Sequence, residues 1–331
     1  MIETFPLLNK TGWMFSDGKA GNEAQLKGVT SALGLKVEIK LVNPQGIQKL
    51  LSPWCRVSSR EHFGKGGGNF SPPWPDFAFA IGRLTTPYIR ELRSKAGKTT
   101  FTVILQNPKV NLNTADLFWV PEHDTLRGPN VITTLTAPHI FTKDYIDKLR
   151  SFIPEKVSHL SKPRAAILLG GSNGDYNYTK ETRRRLEKAI RLFGEHGFSL
   201  MVTPSRRTDP EIIECARKEA QNFPHFFWNM KGVNPYPEFL AHADIFLVPA
   251  DSINMTGEPC VTGRPIYVFY PDGGSKKFNR FHKSLENYGA TRPMLESTLA
   301  LENWTYTPLN SSETIAKQIF DRWQFELSKR V

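Results

Sequence analysis

Cysteine is scarce in this chain: Cys55, Cys215 and Cys260 stand far apart in 331 residues, with no CxxC pair. That excludes a disulfide framework and a thiolate metal knuckle, and fits reduced, packed thiols of a cytosolic protein. Long apolar runs are missing as well. Nothing approaches the roughly 18 consecutive apolar residues of a membrane-spanning helix, so any meeting with a bilayer is expected to be peripheral. The opening MIETFPLLNKTGW has neither a basic n-region nor an apolar core, and no signal peptide is expected. Acidic residues are in deficit, 32 Asp and Glu against 43 Lys and Arg, for a formal charge of +11. Such a surplus attracts polyanions, whether nucleic acid, anionic lipid or phosphorylated substrates.

Signature motifs are absent too. No GxxxxGK[ST] argues for a P-loop NTPase, no GxGxxG follows the first strand as in a nicotinamide dehydrogenase, and no GxSxG marks a hydrolase. Without an Asp-x-Asp pair or a metal-spaced histidine cluster, no metal site is expected. The basic residues form no recognisable nucleic-acid module, so nucleic acid is not the expected partner.

What is present is a repeated alternation of short apolar runs and amphipathic stretches. At this length two domains are expected. Gly12–Phe15, Val37–Val42, Phe77–Ile81, Phe101–Leu105 and Leu117–Val120 read as strands, with helices to about Gly34, over Gln45–Leu51 and over Thr86–Ala96. Polar residues collect after the strand ends: Asp17, Arg83, Gln106, Asn107, His123 and Asp124. Between Arg56 and Pro75 a glycine- and proline-rich stretch, including Gly67, reads as a mobile loop whose basic and aromatic residues, Phe63 and Phe70 among them, suit a membrane or an acceptor.

A boundary falls near Ser161–Pro163, and a second strand-helix series follows. Ala165–Leu169 runs into Gly170-Gly171-Ser172-Asn173, and a helix capped near Thr179 presents a basic outer face. Leu200–Thr203 runs into Ser205-Arg206-Arg207-Thr208. Asp244–Pro249 runs into Asp251 and Ser252, and the stretch ADSINMTGEPCVTGRP then leads to Ile266–Phe269. There Thr256 is expected to cap a short helix whose first turn holds Gly257, Glu258 and Pro259, ending near Gly263. Glycine N–H groups, hydroxyls and arginines after the strands of one sheet suit a diphosphate, and the Glu258 carboxylate suits ribose hydroxyls. Ser311 or Ser312 caps a last helix with an apolar stripe through Ile315, Ile319, Phe320, Trp323 and Leu327.

This pattern implies an α/β protein of two Rossmann-like doubly wound domains, which resembles the GT-B glycosyltransferase architecture. The expected division is 1–160, 161–310 and a C-terminal helix over 311–331 that packs back across the domains. The motifs WMFSDGKAGNEAQ, PDFAFAIGR, FWVPEHD, ILLGGSN, SRRT, NPY, ADSINMTGEPCVTGRP and GGSKKFNRFH resemble the mitochondrial-fission elongated-mitochondria (ELM) family, whose bacterial-type members are regarded as glycosyltransferases. The resemblance runs from about Gly12 to Arg292. It implies a nucleotide-diphosphate sugar as donor and no other cofactor, with Glu258 on the ribose, Ser252, Thr256 and Gly257 beside the diphosphate, and Arg206 or Lys276 balancing its charge. Pro259 stands where alanine is usual after that glutamate, and the E-x7-E spacing of many retaining enzymes is absent, so the anomeric outcome stays open. If the reaction inverts, Asp17 is the first candidate general base and His123, oriented by Asp124, the second. The charge and the expected loop suit an anionic lipid-linked or lipopolysaccharide-type acceptor at the cytoplasmic membrane face. A noncatalytic membrane adaptor, as plant members of the family suggest, and a GT-B-fold nucleotide-sugar epimerase are the alternatives.

Overall fold

A computed structural model of the protein describes residues 7–66 and 68–329. The opening residues 1–6, Gly67 of the expected loop and residues 330–331 lie outside the described residues. Along the chain the first elements are β1 (Thr11–Ser16), α1 (Ala20–Ala32), β2 (Lys36–Leu41), α2 (Gly46–Leu51), β3 (Phe77–Ile81), α3 (Thr86–Ala96), β4 (Phe101–Leu105), β5 (Leu117–Pro121) and β6 (Val131–Thr134). Next come α4 (Lys143–Arg150), α5 (Glu155–Ser158), β7 (Arg164–Leu169), β8 (Tyr176–Asn177), α6 (Lys180–Glu195), β9 (Ser199–Pro204), α7 (Pro210–Ala220) and β10 (His225–Phe227). The series closes with α8 (Tyr236–His242), β11 (Ile245–Pro249), α9 (Ile253–Gly257), β12 (Ile266–Phe269), β13 (Asp272–Gly273), α10 (Lys276–Tyr288), β14 (Thr291–Met294) and α11 (Ser311–Ser328).

These elements form two compact units, one of residues 1–140 with 311–331 and one of residues 141–310. The segment 141–160 therefore belongs to the second unit and the final helix to the first. In the first, a parallel sheet has the order β2-β1-β3-β4-β5-β6. Its central strands are apolar throughout because helices cover both faces: every residue of Phe77–Ile81 and Phe101–Leu105 is buried. One face packs Met14, Phe79 and Trp119 against Leu26 and Val29 of α1 and Ile315 and Ile319 of α11. The other packs Phe15, Ala80 and Phe118 against Tyr88, Ile89 and Leu92 of α3. Strand β6, whose sequence VITT alternates only weakly, was not anticipated.

The stretch 56–75 corrects an expectation. Phe63 and Phe70 are buried and stack with their ring centroids 5.1 Å apart, and Phe70 packs against Phe15 and Tyr88. The aromatics that suggested an outward-facing loop complete the core over β1 and α3 and tie the loop down. Nor do Ser311 and Ser312 act as simple caps, since both are buried and turn to the segment after β6. The Ser311 hydroxyl meets that of Thr136 at 2.6 Å. Ser312 Oγ accepts from the His139 N–H (2.8 Å) and donates to the His139 carbonyl (2.6 Å), seating α11 on residues 136–139.

In the second unit the parallel sheet has the order β10-β9-β7-β11-β12-β14, with the small antiparallel pair β8–β13 beside it. Its core joins Ile167, Val202, Leu247 and Tyr267 of the sheet to Leu186, Ile190 and Phe193 of α6 and Ile212 and Ala216 of α7. The basic face of α6 is largely paired: Arg183 with Glu211 (2.8 Å), Arg184 with Glu181 (2.7 Å), Arg185 with Asp272 (2.5 Å) and Arg191 with Glu219 (2.8 Å). That face adds less to a free basic surface than its sequence suggests.

Ser312→Ala leaves the buried His139 backbone N–H and carbonyl without these partners. It is expected to lower stability by about 1–3 kcal/mol, read as a lower urea midpoint at unchanged slope.

Candidate functional site

In the second sheet the strand order reverses between β7 and β11: the chain runs outward from β7 through β9 to β10, then returns to β11 and runs the other way. The loops leaving the C-terminal ends of those two strands diverge, and a crevice opens between them. Asp251 sits at that point, 2% exposed. Its carboxylate accepts from Tyr178 Oη (2.8 Å), Arg207 Nη2 (2.9 Å) and the Gly171 N–H (3.4 Å), so it joins the loops after β7, β9 and β11. Burial raises its pKa, and the tyrosine and the Arg207 guanidinium offset only part of that rise.

The glycines are there for close packing. A Cβ on Gly170 would lie 1.9 Å from Asp251 Oδ1, and one on Gly171 would lie 1.8 Å from the Arg207 carbonyl oxygen. Ser172 Oγ accepts from the Tyr178 N–H (3.1 Å). Asn173 accepts from the N–H groups of Asp175 and Tyr176, and its amide donates to the Asp251 carbonyl (3.1 Å). These residues build the loop, and none of them lines the cavity beside it.

That cavity, about 870 Å³, opens over the ends of β9, β10 and β11. Of the residues singled out from sequence, Ser205, Arg206, Arg207, Ser252 and Glu258 line it. Gly170, Gly171, Ser172, Asn173, Asp251, Thr256, Gly257 and Lys276 do not. Ser205 is fixed by Thr208, whose Oγ1 accepts the Ser205 N–H (2.8 Å) and donates to the Leu169 carbonyl (2.9 Å). Arg206, beside it, is exposed and has no hydrogen-bond or ion-pair partner among the described residues. Lys276 is the exposed first residue of α10.

The helix after β11 differs from expectation in its cap. Ser252 is the N-cap, its Oγ accepting from the Met255 N–H (3.3 Å), and α9 passes into a 3-10 turn over Glu258–Thr262 that ends at Gly263 in the left-handed region. Thr256 is fully buried and donates to the Pro249 carbonyl (3.1 Å), because its place on the first turn brings it over the end of β11 rather than in front of the helix. Glu258 therefore closes α9 and opens the 3-10 turn with Pro259 beside it, so its expected first-turn place and the stop at Gly263 hold while the cap does not.

Glu258 is partly buried, and its Oε2 accepts a 2.5 Å hydrogen bond from Tyr236 Oη. Burial pushes its pKa up to about 7, and the tyrosine hydrogen bond only partly opposes this. Burial and the adjacent carboxylate raise Tyr236 well above the ordinary phenol range, so it stays a donor. Tyr236, with Trp228, Met230 and Asn234, also lines the cavity, and sequence reading assigned none of these a role. The one signal was NPY, which ends in Tyr236. Met230 sits at φ +64, a strained region for a side-chain-bearing residue, in the loop that brings Trp228 to the cavity.

The residues singled out in the first unit occupy its own strand ends. Asp17, after β1, accepts from Lys19 Nζ (2.8 Å) and Asn22 Nδ2 (3.2 Å). Burial raises its pKa, but the Lys19 and Asn22 hydrogen bonds and the Lys19 charge outweigh it and hold the carboxyl below its ordinary value. His123 is buried in the turn after β5. Asp124 receives Asn107 Nδ2 (3.1 Å) and the Leu126 N–H (2.8 Å), which organise the neighbouring loops.

Two parallel doubly wound domains, with a polar cavity over the ends of β9, β10 and β11 in the second, define the chain as a GT-B-fold protein. The chain belongs to the mitochondrial fission ELM1 family, whose model matches residues 20–323. It is 28% identical over 270 residues to mitochondrial fission protein ELM1 of Arabidopsis thaliana, covering 74% of this chain and 63% of that protein's length. It is 25% identical over 282 residues to the uncharacterized protein RP120 of Rickettsia prowazekii, covering 74% of this chain and 79% of that one. In fold it is similar to UDP-GlcNAc 2-epimerase from Methanocaldococcus jannaschii, with TM-score 0.55, 11% identity and coverage of 94% and 98% of the two chains. It is also similar to S. aureus MnaA, seen in a co-structure with UDP, with TM-score 0.53, 12% identity and coverage of 96% and 97%.

A carboxyl whose folded pKa lies above its unfolded value costs stability once pH exceeds the unfolded value, and the full cost is present above the folded one. Glu258→Gln is thus expected to match the native chain in stability near pH 4 and to exceed it by about 1–3 kcal/mol at pH 8. Paired urea titrations across that range read the difference directly.

Proposed function

We propose that this chain is a metal-independent glycosyltransferase that moves a sugar from a nucleotide-diphosphate sugar to an anionic lipid-linked or lipopolysaccharide-type acceptor at the cytoplasmic face of a membrane. The observation that carries the donor half is the cavity over β9, β10 and β11, where the unpaired Arg206 and the Glu258–Tyr236 pair face one space. A guanidinium with no partner among the described residues is available to a diphosphate, while a carboxyl beside a phenol offers acceptor and donor to a ribose diol. Ser205 and Ser252 add hydroxyls, Arg207 adds charge while still held by Asp251, and the Trp228 indole and Met230 thioether supply apolar contact for a base. Thr256, Gly257, Gly170, Gly171, Ser172, Asn173 and Asp251 take the role of shaping this wall, and Lys276 that of a further cation on α10.

In the reaction, an acceptor hydroxyl oxygen attacks the anomeric carbon, the bond from that carbon to the diphosphate oxygen breaks, and the nucleoside diphosphate leaves with the electron pair. Arg206 and the neighbouring polar groups stabilise the charge that develops on it. Among the described residues no three His, Cys, Asp or Glu side chains are grouped to hold a metal ion, and cationic side chains are given that task here. For an inverting reaction Asp17 takes the acceptor proton. Its depressed pKa keeps it ionised at neutral pH and makes it a modest base, with His123 as the second choice.

Among the described residues no helix is long and apolar enough to cross a membrane, which is compatible with a peripheral encounter with a lipid-linked acceptor.

The test is calorimetry and thermal shift with UDP-, GDP-, ADP- and CMP-sugars, UDP first because of the co-structure of a fold neighbour. One class is expected to bind, with Glu258→Ala and Arg206→Ala each weakening it about 10-fold or more, the latter with a shallower salt dependence. Turnover is expected to be unchanged by EDTA. Absence of binding at millimolar ligand, in a folded protein, overturns the enzyme in favour of a noncatalytic membrane adaptor. Isomerisation of the donor without an acceptor overturns the transferase in favour of an epimerase.

A further inference from the structure

Helix α2 is built unlike any other helix of the first unit. Its sequence GIQKLL continues into Ser52-Pro53-Trp54, and none of its residues is buried. Ile47, Leu50 and Leu51 fall at i, i+3 and i+4, the spacing of a single apolar stripe, and Trp54 follows in the turn just past the helix end. In a water-facing helix of a globular domain that stripe is the side turned to the core. Here it is turned out: Ile47 is 74% exposed, Leu50 75%, Leu51 50% and Trp54 67%. On the preceding edge strand β2, Ile39 and Leu41 share one face and are also exposed.

What holds α2 in place explains how this is possible. The core grips its backbone instead of its side chains. Arg83 Nη1, from the loop after β3, donates to the carbonyls of Leu50 (3.5 Å) and Ser52 (3.2 Å). Arg90 Nη2, from α3, donates to the carbonyls of Pro53 (3.0 Å) and Cys55 (2.5 Å). The guanidinium groups satisfy the carbonyls that a helix end leaves open, and fix the segment without covering its apolar stripe. A short helix of this kind has little stability of its own, so this clamp is what keeps the stripe presented.

Along the chain the charge beside the stripe has one sign: between Glu38 and Glu61 there is no Asp or Glu, while Lys49, Arg56 and Arg60 are exposed. An apolar stripe bearing a tryptophan, bordered by cations and free of carboxylates, has the composition of an interfacial helix on a negatively charged bilayer. A protein partner with a matching acidic apolar groove would meet the same surface, but a tryptophan at the end of a short apolar stripe, with cations flanking it, fits the graded polarity of a headgroup boundary.

We infer that α2 and the segment to Trp54 form a membrane-docking surface, inserting Ile47, Leu50, Leu51 and Trp54 into the headgroup boundary of an anionic phospholipid bilayer while Lys49, Arg56 and Arg60 meet its phosphates. The inference rests on the membrane half of the function proposed above and is independent of the donor half.

The experiment is flotation of the full-length chain with vesicles of phosphatidylcholine alone and of phosphatidylcholine mixed with phosphatidylglycerol. Binding is expected on the mixed vesicles and is expected to weaken with salt. The double variant Ile47→Ser, Leu50→Ser is expected to reduce it by about 10-fold or more, and Lys49→Glu with Arg56→Glu to remove the preference for the anionic lipid. Brominated phosphatidylcholine in the mixed vesicles is expected to quench the part of the tryptophan fluorescence that disappears in Trp54→Phe, which tests the surface even if the serine variant does not fold. Glu258→Gln is expected to float as the native chain does. Flotation that survives the serine variant, with no quenching of Trp54, overturns this surface while leaving a membrane encounter standing. Absence of flotation on any vesicle overturns both. Self-association that the serine variant abolishes, without vesicle binding, assigns the stripe to a second copy of the chain and overturns the inference.

Discussion

The second unit depends on one buried carboxylate. Asp251 lies where neighbouring strands send their connections in opposite directions, a place that topology alone leaves open. Its bonds to Arg207, Tyr178 and Gly171 close the base of that opening and fix the loops after β9 and β7 to the end of β11. A carboxylate buried there is tolerated because it is paired and hydrogen-bonded on both oxygens. It also demands small neighbours: Gly170 and Gly171 have no room for a side chain because Asp251 and the Arg207 backbone occupy it. The glycine pair and the arginine are thus consequences of the acid.

Above this base the cavity carries two groups that the fold does not fully compensate. Arg206 has no partner among the described residues, and Glu258 is held with a pKa of about 7 by burial with one phenol for company. A second cavity, about 780 Å³, lies by α6, α10 and β14, but the cations there are tied to carboxylates: Arg185 to Asp272 and Lys188 to Glu296. Charged or strained groups that the protein leaves unsatisfied are what a ligand can satisfy, and by that criterion the first cavity stands apart.

Much of the fold was legible in the sequence because its strands are buried on both faces and read as unbroken apolar runs. Phe77–Ile81, Phe101–Leu105 and Ile245–Pro249 need no tertiary information to be recognised. Strands β6 and β14 escaped because VITT and TRPM, at the sheet edges, are mixed in polarity. Of the site, the positions after strand ends were legible, but their division of labour was not. Whether a glycine N–H faces a phosphate or an internal aspartate depends on which neighbour fills the space, and sequence order is silent on that. The cap was misplaced for a related reason: Ser252 and Thr256 are both good capping residues, and only the height of the β11 terminus decides between them. Tyr236 is separated from Glu258 by all of α8 and β11, so its pairing could be suspected only from the motif that contains it. The aromatics of 56–75 misled because aromatic residues among glycines and prolines have the same composition whether they face water or complete a core.

The final helix has a consequence for the order in which this protein can be assembled. Its apolar residues Ile315 and Ile319 complete the face of the first sheet that also holds Met14 and Leu26, and its serines close hydrogen bonds with residues 136–139. The second unit is one uninterrupted stretch of chain, residues 141–310, that leaves the first and returns to it. On a ribosome the second unit can finish as soon as its own residues emerge, whereas the first, although begun earlier, waits with an uncovered apolar face until the last helix is made. The unit that starts first therefore folds last, and a nascent chain halted just short of Ser311 exposes the core of its first domain while its second is already whole.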